Sequence, residues 1–165
     1  MNKNLTRVML TLVCMTLIIV AMLIAALKVD AAYCIESPVK PGKWREDVPL
    51  SADLQRALLR ICRETGVDPL LALGLIETES GFQTDIVSPW GDYGLCQLNY
   101  RYFATDLTPE ENMAAGIGLL AYNIERYHGS VAAALTAYNR GHDDGSRSYA
   151  AVVLQKAAGW GYGNG

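Results

Sequence analysis

The chain is poor in the residues that hold metals: two histidines in 165 residues, and neither a CxxC nor an HExxH spacing. A zinc site needs three or four such ligands at short spacing, so no metal and no other cofactor is expected. Cationic charge is scarce as well. Lys and Arg number 14 against 17 Asp and Glu. Three of the basic residues (Lys3, Arg7, Lys28) and one acidic residue (Asp30) precede residue 33, which leaves 11 against 16 and a formal charge of −5 beyond it. That balance favours solubility and offers no basic stripe for nucleic acid. Cysteine is sparse too. Cys14 falls in an apolar run, and Cys34, Cys62 and Cys96 remain, an odd number that allows one bridge with a free thiol or three unpaired cysteines. Internal repeats and convincing strand alternation are both absent, which leaves a mainly α chain.

One long apolar run is present. Residues 8–27 carry no charge and are interrupted only by Thr11, Cys14 and Thr16. At 1.5 Å per residue the run covers about 30 Å, enough to cross a bilayer. Lys3 and Arg7 precede it, so the N-terminus is expected inside and the remainder exported. Val29-Asp30-Ala31-Ala32 offers small residues for signal cleavage, but the run exceeds the usual signal core of about 7–15 residues. Residues 1–32 therefore read as a signal anchor or, alternatively, a cleaved signal peptide. Neither Val13 before Cys14 nor Tyr33 before Cys34 is the small residue that lipidation needs. Pro38, Pro41 and Pro49 among charged residues mark 33–49 as an extended linker. Residues 50–162 then form one domain of common size.

Capping signals divide that domain into helices. Ser51 caps a helix to about residue 65, closed by Gly66. Asp68-Pro69 opens a second, with proline at the first helical position, and Gly81 ends it. Thr108-Pro109-Glu110-Glu111 is a capping box for a helix to about residue 127, on which Met113, Ile117, Leu120 and Ile124 follow helical spacing. Ser130 caps a helix over 131–139, and 149–158 makes the last.

At 100° per residue, Glu79 points the same way as Ala72, Leu75 and Ile76, whereas Glu77 lies about 160° away. A carboxyl at the edge of an apolar face, near the negative end of a helix, holds its proton to higher pH, as a general acid requires. On these residues alone, Glu79 reads equally as a surface residue closing an amphipathic helix. Ser88-Pro89-Trp90-Gly91-Asp92-Tyr93-Gly94 is an ordinary loop or, with Trp90 and Tyr93 stacking on sugar rings, a wall of a glycan groove. Gln97 reads as a solvated residue or a ligand-binding amide. In Ala137-Tyr138-Asn139, Tyr138 reads as a core residue with its hydroxyl satisfied, and Asn139 as a helix-end cap.

Taken in order, these segments resemble the catalytic domain of the soluble lytic transglycosylases, in the lysozyme-like superfamily that includes goose-type lysozymes. The resemblance covers 50–154. It rests on Glu79-Ser80 with Phe82, on Gly94-Leu95-Cys96-Gln97 for the family's Gly-Leu-Met-Gln box, on Ala137-Tyr138-Asn139 with Gly141, and on Tyr149 before Val152-Val153-Leu154. It implies a small lysozyme-like helical domain that cleaves the β-1,4 bond between N-acetylmuramic acid and N-acetylglucosamine in peptidoglycan. Glu79 matches the single catalytic acid/base, and the product carries a 1,6-anhydro ring, one of the exceptions to two-carboxylate glycoside cleavage. Tyr149 matches the tyrosine that orients the acid. Ser88, Gln97 and Asn139 match substrate-contacting positions, with Tyr93 on the groove wall and Tyr138 on its floor.

Three departures bear on that reading. Cys96 replaces a methionine and loses reach into the groove. Arg140 stands where a small residue is common. Asp92 is similar to an acidic residue of goose-type lysozymes; if it positions a water, the outcome is hydrolysis, and otherwise it is a turn Asp bonding its own backbone. The expected protein is thus a monomeric peptidoglycan-cleaving enzyme outside the cytoplasm, tethered to the cytoplasmic membrane or secreted. A non-catalytic peptidoglycan-binding protein and a small membrane scaffold are the alternatives.

Overall fold

Each capping signal starts a helix where the sequence places it. The computed structural model describes residues 44–163; residues 1–32 with their apolar core at 8–27, the linker as far as residue 43, Cys14 and Cys34 lie outside the described residues. Among the described residues five helices form: α1 (Ala52–Thr65), α2 (Pro69–Ser80), α3 (Pro109–Arg126), α4 (Val131–Arg140) and α5 (Ser148–Trp160). None of them is long and apolar enough to cross a membrane. Ser51, Asp68 and Ser130 accept backbone N–H groups of the first turns of α1, α2 and α4, and Thr108 with Glu111 closes a reciprocal capping box on α3. Gly66, Gly81 and Gly141 end their helices in the left-handed region.

The second helix departs from the amphipathic form. Residues 71–76, Leu-Ala-Leu-Gly-Leu-Ile, are all buried, so α2 has no solvent face over that stretch. A helix apolar all round belongs in the centre of a domain. Here α1, α3, α4 and α5 surround the core that includes α2, with Leu58, Ile61, Met113, Ile117, Leu120, Leu135 and Val153 filling it. The closest packing is between α2 and α5. Leu70 lies by Gly161, Gly74 by Val153 and Ala157, and Glu79 by Tyr149, so the two helices run antiparallel. A Cβ on Gly74 would fall 2.6 Å from the Ala157 nitrogen and 2.7 Å from the Val153 carbonyl oxygen. Only glycine admits that approach.

Two further features were not expected from the sequence. Between α2 and α3 the chain forms a two-stranded antiparallel hairpin, β1 (Asp92–Tyr93) with β2 (Leu98–Asn99), in the register Asp92↔Asn99 and Tyr93↔Leu98. Strands of two residues carry no periodicity that a pattern can detect. The last residues of the proline-bearing linker also lie on the domain. The fully buried Gln55 amide donates to the carbonyls of Arg45, Val48 and Leu50 and accepts the Arg45 N–H, while the Arg45 guanidinium donates to the Trp160 carbonyl at 2.9 Å.

Gly74→Ala is expected to lower unfolding stability by about 1–3 kcal/mol, the usual cost of overpacking a filled interface. Urea unfolding measures it, and unchanged stability would show that α2 and α5 do not meet at this point.

Candidate active site

The polypeptide leaves the central helix abruptly. Gly81 and then Phe82 both have positive φ, 57° and 67°. A non-glycine residue there costs about 1 kcal/mol, which the surroundings offset. The Ser80 hydroxyl donates to the Ile76 carbonyl and accepts the Phe82 N–H, and the Phe82 ring meets Trp160 edge-on at 5.8 Å. This turn explains why serine and phenylalanine follow Glu79. They end the helix so that its last carboxylate-bearing turn projects from the core.

The two glutamates of that turn part company as the helical angle requires. The Glu77 carboxylate accepts from the Trp160 indole N–H at 2.8 Å and lies 3.6 Å from the Lys156 ammonium. It is a structural anchor for α5. Glu79 instead lines a groove of about 580 Å³ and accepts a hydrogen bond from the Tyr149 hydroxyl, which comes from the first turn of α5. Burial pushes the Glu79 carboxyl up to about 7; the Tyr149 hydrogen bond opposes the rise, and the nearby Asp92 charge adds to it. Burial drives the Tyr149 hydroxyl well above its ordinary range, so Tyr149 remains a neutral donor. A carboxyl poised near neutrality can both give and take a proton.

The hairpin forms the facing wall. Asp92 accepts from the Ser88 hydroxyl at 3.1 Å and from the Asn99 amide at 2.7 Å, and both Asp92 and Asn99 reach the groove. The 94–97 connection is held from α3 by Asn112, whose amide accepts the Cys96 N–H at 2.8 Å and donates to the Tyr93 carbonyl at 3.1 Å. Gln97 has φ 45° and donates its side-chain N–H groups to the Ile86 and Gly94 carbonyls, which leaves its amide oxygen for a ligand in the groove. Tyr138 lies on the groove with its hydroxyl donating to the Cys96 carbonyl at 2.8 Å.

Glu79, Gln97, Tyr138 and Asn139 therefore line one groove, with Tyr149 attached through Glu79. Ser88 and Tyr93 do not line it. The Ser88 hydroxyl is occupied inside the hairpin turn, accepting the Trp90 and Asp92 N–H groups while it donates to Asp92. Tyr93 faces a separate depression beside Thr84 and Leu107. The aromatic wall consists of Tyr102, Phe103 and Tyr122, while Trp90 stands 80 % exposed away from the groove lining. Tyr102 and Tyr122 are largely exposed, as stacking platforms are. Sequence reading passed over them because isolated tyrosines on a loop and a helix carry no signature. Asn112 had a weak signal: an amide at a position in register with buried Gly116 and Leu120.

Cys96 does not point into the groove. It is fully buried against Gly116, where a Cβ would fall 2.3 Å from the Cys96 Cβ. Burial pushes its thiol up, and the Cys62 thiol rises to about 12 for the same reason. Neither cysteine is in a disulfide, and both are inert thiols. Arg140 lines the groove and pairs with Asp144 at 3.1 Å.

The helical domain thus sets one desolvated carboxyl in an aromatic-walled groove. Residues 60–153 match the transglycosylase SLT domain, more than half of the chain, and the chain belongs to that family. The X-ray structure of an inactive Glu-to-Gln mutant of the lytic transglycosylase Slt from Pseudomonas aeruginosa is similar, with a TM-score of 0.55 and 23% identity over 65% of this chain. That likeness is one of fold. The match covers 24% of the Pseudomonas chain, so this protein corresponds to about a quarter of it.

Two outcomes follow from the carboxyl–hydroxyl pair. Tyr149→Phe removes the bond that favours the charged form, so the Glu79 titration moves above about 7, as carboxyl NMR reads directly. Glu79→Gln bears on stability. The folded protein holds the Glu79 proton more tightly than the unfolded chain, so stability is intact below about 4.5 and falls as pH rises through about 7. The neutral variant is expected to exceed the parent by on the order of 2 kcal/mol at pH 8 and to match it at pH 4. Equal stability at both pH values would mean that the carboxyl is not desolvated.

Proposed function

We propose that this domain is a peptidoglycan lytic transglycosylase with Glu79 as its single general acid/base. The observation that carries the reading is a groove-facing Glu79 carboxyl whose proton affinity burial has brought to about 7, beside a neutral Tyr149 donor. Protonated Glu79 gives its proton to the glycosidic oxygen between N-acetylmuramic acid and N-acetylglucosamine as that bond breaks. The substrate's own N-acetyl oxygen stabilises the developing cation. The Glu79 carboxylate then takes the C6 hydroxyl proton as that oxygen bonds to C1, closing the 1,6-anhydro ring and restoring the acid. No second carboxylate is needed, and near pH 7 the same group serves both steps. The inactive Glu-to-Gln mutant of the Pseudomonas enzyme is in keeping with a reaction that depends on one glutamate.

Around this centre, the Gln97 amide oxygen, Asn139 and the Tyr138 ring bind the glycan, and Tyr102 and Tyr122 offer faces for sugar stacking. The enzyme works as a monomer on peptidoglycan outside the cytoplasm. Residues 1–32 act as signal anchor or signal peptide, and the catalytic domain spans 50–162. Gln55 and the Trp160 carbonyl hold Arg45, Val48 and Leu50, so the domain's own contacts begin within the expected 33–49 linker, at residue 45.

A second reading is hydrolysis, favoured by one observation: Asp92 lines the same groove and its charge is felt by Glu79. In that case the Asp92 carboxylate holds the attacking water. Mass analysis of the muropeptides released from purified peptidoglycan decides between them. Transglycosylation yields anhydro-muramoyl ends; reducing ends alone would establish hydrolysis. Glu79→Gln is expected to reduce release by roughly 10²–10⁴-fold, the usual contribution of a general acid. Unchanged release would remove Glu79 from the reaction.

A further inference from the structure

Trp160 ends α5 and is held by separate parts of the chain. Its indole N–H donates to the Glu77 carboxylate at 2.8 Å, and its ring meets Phe82 edge-on at 5.8 Å. Those two residues flank Glu79 in the sequence. A further holder comes from the stretch that reads as linker. The Arg45 guanidinium donates to the Trp160 carbonyl at 2.9 Å and lies over the indole, 5.4 Å from the ring centroid.

Arg45 is itself fixed where it meets Trp160. Its Nε and Nη2 donate to the two Asp47 carboxylate oxygens at 3.0 and 2.7 Å, a bidentate pair that sets the plane of the guanidinium. Its backbone N–H donates to the amide oxygen of Gln55, which is fully buried on α1, at 2.9 Å. The remaining nitrogen, Nη1, donates to the Trp160 carbonyl. A carbonyl at a helix C-terminus lacks an intrahelical donor and carries part of the negative end of the dipole, and a guanidinium answers both. An exposed ion pair by itself would be worth little. Here the fork, the ring contact and the buried amide form one brace between the entry to the domain and the end of α5.

What the brace governs follows from the stiffness of α5. Tyr149 and Trp160 are 11 positions apart on this helix, about 16 Å at 1.5 Å per residue. The crossing at Gly74 sets how near α5 comes to α2, and contacts at the helix end set its position along the axis. We infer that Arg45 is a positioning residue for the candidate active site: by clasping Trp160 it fixes α5 along its axis, and so aligns the Tyr149 hydroxyl with the Glu79 carboxylate at the other end. The titratable groups felt around Glu79 are Asp92 on the hairpin, Tyr149 on α5, Tyr138 on α4 and Cys96. Arg45 bonds to none of them; its hydrogen bonds go to Asp47, Gln55 and Trp160. Its influence on Glu79 therefore passes through α5 and not through contact.

Carboxyl NMR of the full chain in detergent micelles tests it by reading Glu79 directly. Arg45→Ala is expected to raise the Glu79 titration above about 7 by about half a pH unit, the share of one hydrogen bond that misalignment removes. Arg45→Gln, a milder change, gives the same reading should Arg45→Ala fail to fold. Arg45→Lys, which keeps a cation for the Trp160 carbonyl, is expected to restore most of the parent value. In a Tyr149→Phe background the bond is already gone, so adding Arg45→Ala is expected to move Glu79 no further. An unchanged titration in Arg45→Ala, whatever its stability, overturns the inference. So does an equal rise with Tyr149→Phe present, which would report only the loss of a distant positive charge. The bearing on catalysis rests on the acid/base reading above, whereas the titration needs no turnover. Should the parent chain release nothing from peptidoglycan while these shifts hold, the proposed reaction is wrong and the role of Arg45 stands.

Discussion

Desolvation of one carboxyl governs the rest of this molecule. Glu79 is kept near half-protonation at neutral pH chiefly by removing water from around it, and that removal costs stability at every pH above its unfolded titration. The protein meets this cost by placing Glu79 at the end of a helix that is buried on all sides. Residues 71–76 leave no solvent face, so the half-buried last turn passes directly from the core to the groove. The burial that stabilises α2 is continuous with the burial that raises Glu79.

The same constraint explains how the two glutamates divide. Two positions apart on a helix, their side chains diverge by about 160°. Glu77 meets the Trp160 indole and Lys156, which compensate its charge. Glu79 is desolvated beside a like charge, and the two keep its proton affinity high against the hydrogen bond from the Tyr149 hydroxyl. Exchanging those surroundings would leave an anchor without charge and an acid without a proton. The motif therefore encodes two environments as well as two residues.

Much of this was legible in the sequence because the signals were local. Ser51, Asp68-Pro69, Thr108 with Glu111, Ser130 and the terminal glycines mark helix ends through bonds to neighbours within a few residues, and those ends lie where expected. The angle between Glu77 and Glu79 followed from helix geometry alone. What the sequence concealed depends on distant partners. Gln55 reaches back to residues 45–50, Asn112 reaches a hairpin 16–19 positions away, and Tyr102 and Tyr122 meet at the groove only after folding. Ser88 and Tyr93 show the converse. Their residue types suit a sugar site, but the hairpin turns one hydroxyl inward and carries the other side chain to a different face.

The pairing of Glu79 with Tyr149 has a remote determinant. Tyr149 sits in the first turn of α5 and Glu79 in the last turn of α2, so their meeting depends on how those antiparallel helices are spaced and in what register. Gly74 sets the spacing, since any Cβ there would strike the α5 backbone. Glu77 and Phe82 set the register by holding Trp160 at the far end of α5. A displacement of α5 by a methyl group's width would leave the Tyr149 hydroxyl out of line with the carboxylate, although neither residue had changed. Because that hydroxyl is what lowers the Glu79 titration against burial and Asp92, packing at Gly74 and the acidity of Glu79 are coupled through one rigid helix. The chemistry of the groove is thus written partly in a glycine that never touches it.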